Sequence, residues 1–143
     1  MTGWKAALAA LALLGAVACG DAAGRTPEKA ARAFLEAAAD GQTEQLFALL
    51  APTSRALLQQ LANRATAEAG GQRRLKAQDL LVLGFGRPRL EVSGVELSYA
   101  DRERAQVRLI SQGERGNELL DLQRVDGHWR VVLPQPAASL RNE

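Results

Sequence analysis

The residue types that carry most enzyme chemistry are scarce in this chain. Its 143 residues include one cysteine, Cys19, one histidine, His128, and one tyrosine, Tyr99. A lone thiol cannot close an internal disulfide, so Cys19 needs another purpose. A metal centre needs several convergent ligands, and a single histidine without a second cysteine offers no such cluster. Acid–base catalysis needs two groups within hydrogen-bond reach whose surroundings set their protonation apart. Tyr99, Asp79 and Glu91 are the candidates for a polar pocket, but their positions read as rim or surface, and His128 falls beside a turn on the expected solvent face. Gly84-Phe85-Gly86-Arg87-Pro88 contains a G-x-G, yet no strand precedes it and no helix follows, as a phosphate loop requires. It reads as a crossover. Arg73-Arg74 with Lys76 reads as a solvated basic loop that could also face anionic headgroups. No catalytic, cofactor-binding or metal-ligating set is expected.

Position gives Cys19 its purpose. Met1 to Lys5 is a minimal positive start, and Ala6 to Ala18 is an uncharged run of Ala, Leu, Gly and Val. A bilayer span needs roughly 20 apolar residues, so this run has the length of a signal-peptide apolar region instead. Leu14-Gly15-Ala16-Val17-Ala18-Cys19-Gly20-Asp21 resembles the bacterial lipobox, with small Ala18 before the cysteine and Gly20 after it. It departs from that pattern at Ala16, where leucine is usual. The resemblance implies cleavage between Ala18 and Cys19 and a diacylglyceryl thioether on Cys19, with a further amide-linked acyl chain. At about 0.8 kcal/mol per buried CH₂, two or three chains anchor a protein durably where one does not. Two other readings remain open: a secretory signal cleaved after Ala18 with an incidental thiol, and a buried core cysteine. Gly20 rather than Asp after Cys19 is compatible with outer-membrane delivery under enterobacterial sorting, and inner-membrane retention stays open. The expected location is the bacterial cell envelope. Asp21 to Thr26 is short, small and polar, and reads as the end of a tether that starts at Cys19.

Removing residues 1–18 leaves 125 residues, enough for one hydrophobic core without metal or disulfide support. A hydrophobic fraction of 47% with 24% charged residues is that of a globular domain rather than a disordered one. Net charge is only +2, so the 15 arginines are balanced by acids and form no nucleic-acid footprint. No nucleic-acid partner is expected.

The elements that must position any site divide into helices and then strands. Thr26 can cap a first helix, with Pro27 at its first position and Glu28 at the positive end of its dipole. Ala30, Ala31, Phe34, Leu35, Ala37 and Ala38 form its apolar stripe, and Gly41 stops it. A second helix fits Glu44 to Leu50, with Thr43 as cap, Leu46, Phe47, Leu49 and Leu50 inward, and Pro52 as its breaker. A third spans Ser54 to Glu68, burying Leu57, Leu58, Leu61 and Ala65 and ending at Gly70-Gly71; one further turn is expected in Gln78 to Leu83. After Pro88 the period falls to two. Leu90 and Val92 alternate, the phase slips at Ser93-Gly94 in the manner of a β-bulge, and Val95, Leu97 and Tyr99 resume. A polar turn at Asp101 to Arg104 leads to a strand with Val107 and Leu109 on one face, and Gly113 to Asn117 form a looser turn. Asp126-Gly127 is a two-residue type I′ hairpin sequence. It pairs Val125 with His128, Arg124 with Trp129, Leu122 with Val131 and Leu120 with Leu133. That register gathers Leu120, Leu122, Trp129, Val131 and Leu133 on one face and sets Arg124 by the Trp129 ring. Phe34, Leu57, Leu61, Val107, Leu122, Trp129 and Val131 are expected to share one core. The fold class is α+β, with N-terminal helices packed on an antiparallel sheet.

Thr26-Pro27-Glu28-Lys29-Ala30-Ala31-Arg32-Ala33-Phe34-Leu35, followed by Asp40-Gly41, resembles the opening of nuclear transport factor 2-like domains. Val125-Asp126-Gly127-His128-Trp129-Arg130-Val131 is similar to their final hairpin. The resemblance covers residues 27–134, leaving 135–143 as a tail, and is to the small bacterial lipoproteins of that superfamily. It implies a cone of helices on a strongly curved sheet, with a pocket between them. The matching residues are caps, turns and core, so they carry no activity with them. The function expected is therefore a lipid-anchored, non-catalytic binding module for an envelope protein or a small apolar ligand. The alternative is a small-molecule enzyme using a carboxylate inside the cone.

Overall fold

The computed structural model describes residues 24–85, 92–112 and 118–134. Among these residues four helices precede four strands: α1 (Pro27–Ala39), α2 (Thr43–Leu49), α3 (Pro52–Glu68), α4 (Ala77–Phe85), β1 (Val92–Ala100), β2 (Arg104–Ser111), β3 (Glu118–Val125) and β4 (His128–Val132). The strands form one antiparallel sheet in the order β1-β2-β3-β4. The fold is α+β.

Helix α1 begins as its residues dictate. The Thr26 hydroxyl accepts the Lys29 N–H at 3.2 Å, Pro27 occupies the first turn, and Ala30, Ala31, Phe34 and Ala37 are buried. This helix lies against β1, β2 and β4 and joins the two layers. Helix α2 differs from expectation by one residue. Thr43 is its first residue, Gln42 holds the cap position without a side-chain hydrogen bond, and Leu50 has left the helix. Leu50 instead forms a parallel bridge with Val131, and the Ala51 N–H donates to the Val131 carbonyl at 2.8 Å. Pro52 therefore starts α3 rather than merely breaking α2, using the position where a missing N–H costs nothing.

Helix α3 corrects the expected core. Its buried residues are Ser54, Leu58 and Ala62, whereas Leu61 is 37% exposed and Leu57 is half-buried outside the main cluster. At 100° per residue the buried stripe is turned by roughly 60° from the leucine-rich face. Hydroxyls at its two ends explain the turn. Ser54 Oγ accepts the Leu133 N–H at 2.9 Å, and Thr66 Oγ accepts the Leu75 N–H at 3.0 Å while donating to the Ala62 carbonyl. Two part-buried backbone N–H groups find their acceptors this way, and the hydrogen bonds tie both ends of the helix to the chain beside it. Gly70 and Gly71 then end the helix with φ of +72° and +73°, a conformation that suits residues without a Cβ.

The sheet follows its alternation closely. The turn is type I′ in character, with φ of 50° at Asp126 and 80° at Gly127. Val125 pairs with His128, Arg124 with Trp129 and Leu122 with Val131. Leu122, Trp129 and Val131 are buried, and Leu120 and Leu133 pack against the cluster from its margin. Arg124 stands opposite Trp129 and remains exposed. Ala105, Val107 and Leu109 face the helices from β2. In β1 the register shifts between Val92 and Gly94, where the Ser93-Gly94 slip is, and again between Leu97 and Tyr99. The second shift turns Tyr99 to the outer face, opposite Gln106. Leu90 and the Gly113–Asn117 turn lie outside the described residues. The core joins Phe34, Leu46, Leu49, Leu50, Leu58 and Leu81 of the helical layer to Val107, Leu122, Trp129 and Val131 of the sheet.

Candidate functional site

Cys19 and the Ala18–Cys19 cleavage point lie outside the described residues, as do residues 1–18, Glu91 and the 135–143 tail. What can be followed is how the domain receives the chain coming from Cys19. Gly24 is buried, and its carbonyl accepts the Trp129 N–H at 2.8 Å. A Cβ added at Gly24 would meet His128 Cβ at 3.1 Å and Cδ2 at 3.3 Å, so any side chain there requires His128 to shift by a few tenths of an ångström. Gly24, five residues after Cys19 in sequence, is thus packed against the start of β4.

His128 is half-buried at this junction, with Nδ1 3.1 Å from the Asp126 carbonyl oxygen. Its place is in the packing between the incoming chain and β4. The free edge of β4 is covered at three points: by Gly24 at Trp129, by Ala51 at Val131 and by Ser54 at Leu133. An edge strand closed in this way cannot recruit another chain.

Asp79 serves as a cap. Its Oδ2 accepts the Lys76 N–H at 3.0 Å, satisfying a donor at the start of α4. Arg73, Arg74 and Lys76 are exposed in the loop before it. Gly84 and Phe85 end α4, and residues 86–88 are outside the described set.

Tyr99 does meet a carboxylate, one that the sequence had marked only as part of a turn. The Tyr99 hydroxyl donates to Asp101 Oδ2 at 2.8 Å, and Asp101 Oδ1 accepts the N–H groups of Glu103 and Arg104 at 2.8 and 2.7 Å. Those two backbone hydrogen bonds, with the phenol third, hold the Asp101 carboxyl below its ordinary value. The hydrogen bond to that carboxylate, and then its charge, raise the Tyr99 phenol. Both side chains are exposed, so the pair organises the β1–β2 turn and encloses no substrate. The signal for it was present as an Asp two residues before the turn's first donor, a pattern that binds its own backbone.

Between the layers, the helices leave part of the inner face open. Leu97 pairs with Val107 and shares its face, yet Leu97 is 46% exposed while Val107 is fully buried. Arg55 Nε is buried without a hydrogen-bond partner among the described residues. No group of three or more His, Cys, Asp or Glu among the described residues could hold a metal ion. None of the described helices is long and apolar enough to cross a membrane. Compared with known proteins, the chain matches no family model, no curated protein and no solved structure.

Proposed function

We propose that this chain is a bacterial envelope lipoprotein, anchored by lipid on Cys19, whose domain is a nuclear transport factor 2-like cone acting as a non-catalytic binding module. The observation that carries the reading is the spacing between the lipobox-like Leu14–Asp21 segment and the fold. Cys19 is the only cysteine, and Gly24, five residues later, is hydrogen-bonded to β4. A lipid on that sulfur would hold the domain close to the bilayer surface. The four helices over one face of a meander sheet, opening at Leu97, support a cone with an apolar ligand or an envelope protein as its partner. Against the enzyme alternative stand the tasks of its candidate groups: Asp79 caps a helix, and Tyr99 and Asp101 tie a turn.

The test is metabolic labelling with a fatty-acid analogue in wild type and Cys19→Ala. Label on wild type alone is expected, with the variant accumulating as precursor or unanchored product; equal label on both refutes the anchor. In the same strains His128→Ala, Tyr99→Phe and Asp79→Asn should leave the phenotype nearer to wild type than Cys19→Ala does. Loss of function from one of these three in a folded, localised protein would promote the enzyme.

A further inference from the structure

The antiparallel meander places the β1–β2 and β3–β4 turns at one end of the sheet and the β2–β3 connection at the other. Gly24 is fixed at the first of these ends, because its hydrogen-bond partner Trp129 is the second residue after the β3–β4 turn. From the geometry we infer that the anchored domain stands on the headgroup surface with this two-turn end toward the bilayer. The inference rests on the proposed lipid anchor at Cys19.

Length favours this arrangement over the inverted one. Gly24 is five residues after Cys19, and five Cα steps at full extension reach about 17 Å. Trp129 pairs with Arg124, six residues along β3 from Glu118 at the opposite end, which is about 20 Å of strand. Standing on its Glu118 end, the domain would require the tether to be fully extended, whereas the two-turn end leaves it slack. Charge favours the same side. The two-turn end exposes Arg25, Arg102, Arg104 and Arg124. Its acids are Asp101, Glu103 and Asp126, and the Asp101 carboxylate is turned back onto the backbone N–H groups of its own turn. The opposite end presents Gln112 and Glu118 among the described residues. Guanidinium groups pair with the phosphates of anionic lipids through parallel hydrogen bonds, so the arginine-bearing end is the one suited to headgroup contact.

The experiment uses the full chain, processed in a lipoprotein-modifying bacterial host and reconstituted into phosphatidylglycerol-containing vesicles with headgroup-linked energy acceptors. Glu103→Cys and Gln112→Cys each receive a donor dye. Both positions are exposed, and a thioether at Cys19 takes no dye. The expected result is a donor at position 103 nearer the headgroup plane than one at 112 by roughly 30 Å, the length of the strand between them. Equal heights, or position 112 the nearer, overturn the orientation while leaving the anchor intact. Dye incorporated at Cys19 overturns the anchor itself, and the orientation falls with it.

Discussion

Replacing Leu58 and Leu61 one at a time measures which face of α3 the domain buries. Leu58 is 7% exposed and belongs to the core, whereas Leu61, one turn later, is 37% exposed. Truncating Leu58 to Ala removes three buried carbons, worth about 2.4 kcal/mol in transfer free energy at ~0.8 kcal/mol each. The cavity left behind adds to this, so a loss of about 3 kcal/mol is expected. For a domain of this size that lowers Tm by about 12 °C, at roughly 4 °C per kcal/mol. Leu61→Ala removes a side chain already partly in water and installs the best helix former, so its loss should stay under about 1 kcal/mol. Urea denaturation of residues 20–143, followed by Trp fluorescence and circular dichroism, reads both values. Equal losses, or a larger loss at Leu61, would mean that α3 faces the sheet with its leucine-rich side and that the hydroxyl-directed rotation is wrong.

Trp129→Ala should cost roughly 3–5 kcal/mol, as large aromatic truncations in cores do, because Trp129 is 6% exposed within the core cluster; a thermal melt unchanged by it would invert the β3–β4 register. Ser54→Ala leaves the Leu133 N–H without its acceptor, which should cost about 0.5–1.5 kcal/mol and speed amide exchange at Leu133; unchanged exchange there would contradict the bond. Carboxyl NMR should place the Asp101 pKa below that of an ordinary aspartate, and Tyr99→Phe should raise it by removing one donor. Asp101 has its pKa depressed by folding, so its contribution to the turn is present above the unfolded value near 3.9 and fades as pH falls through the folded one. The Tyr99 phenol is raised, so its contribution holds below about 10 and is lost as pH climbs past the folded value. An Asp101 titration indifferent to Tyr99→Phe would remove the phenol from the account.

Local chemistry was legible in the sequence where one residue type has one cheap solution. Thr26 and Pro27 start α1, and Asp126-Gly127 sets a hairpin whose register agrees with its own hydrophobic alternation, so two independent constraints coincide. The rotation of α3 was hidden because its determinants are hydroxyls with partners 79 and 9 residues away in sequence, at Leu133 and Leu75. Counting leucines weights the side chains that hide most area, not the backbone donors that must be matched. The second shift in β1 was equally hidden, since Leu97-Ser98-Tyr99 keeps a perfect alternation while the register turns Leu97 and Tyr99 to opposite faces. At the candidate site the sequence identified Tyr99, His128 and Asp79 as chemically scarce or suitable groups, but only geometry assigned them to a turn, a junction and a helix start. Gly24 carries no local signal, because its role depends on an imidazole 104 residues later.

The proposed anchor on Cys19 is read from the intact mass of the protein extracted from membranes. The expected chain begins at Cys19, lacks residues 1–18, and carries the added mass of a diacylglyceryl group with or without an amide-linked acyl chain, all of it lost in Cys19→Ala. A wild-type chain beginning at Cys19 with an unmodified thiol, or one retaining residues 1–18 in the mature form, would contradict it.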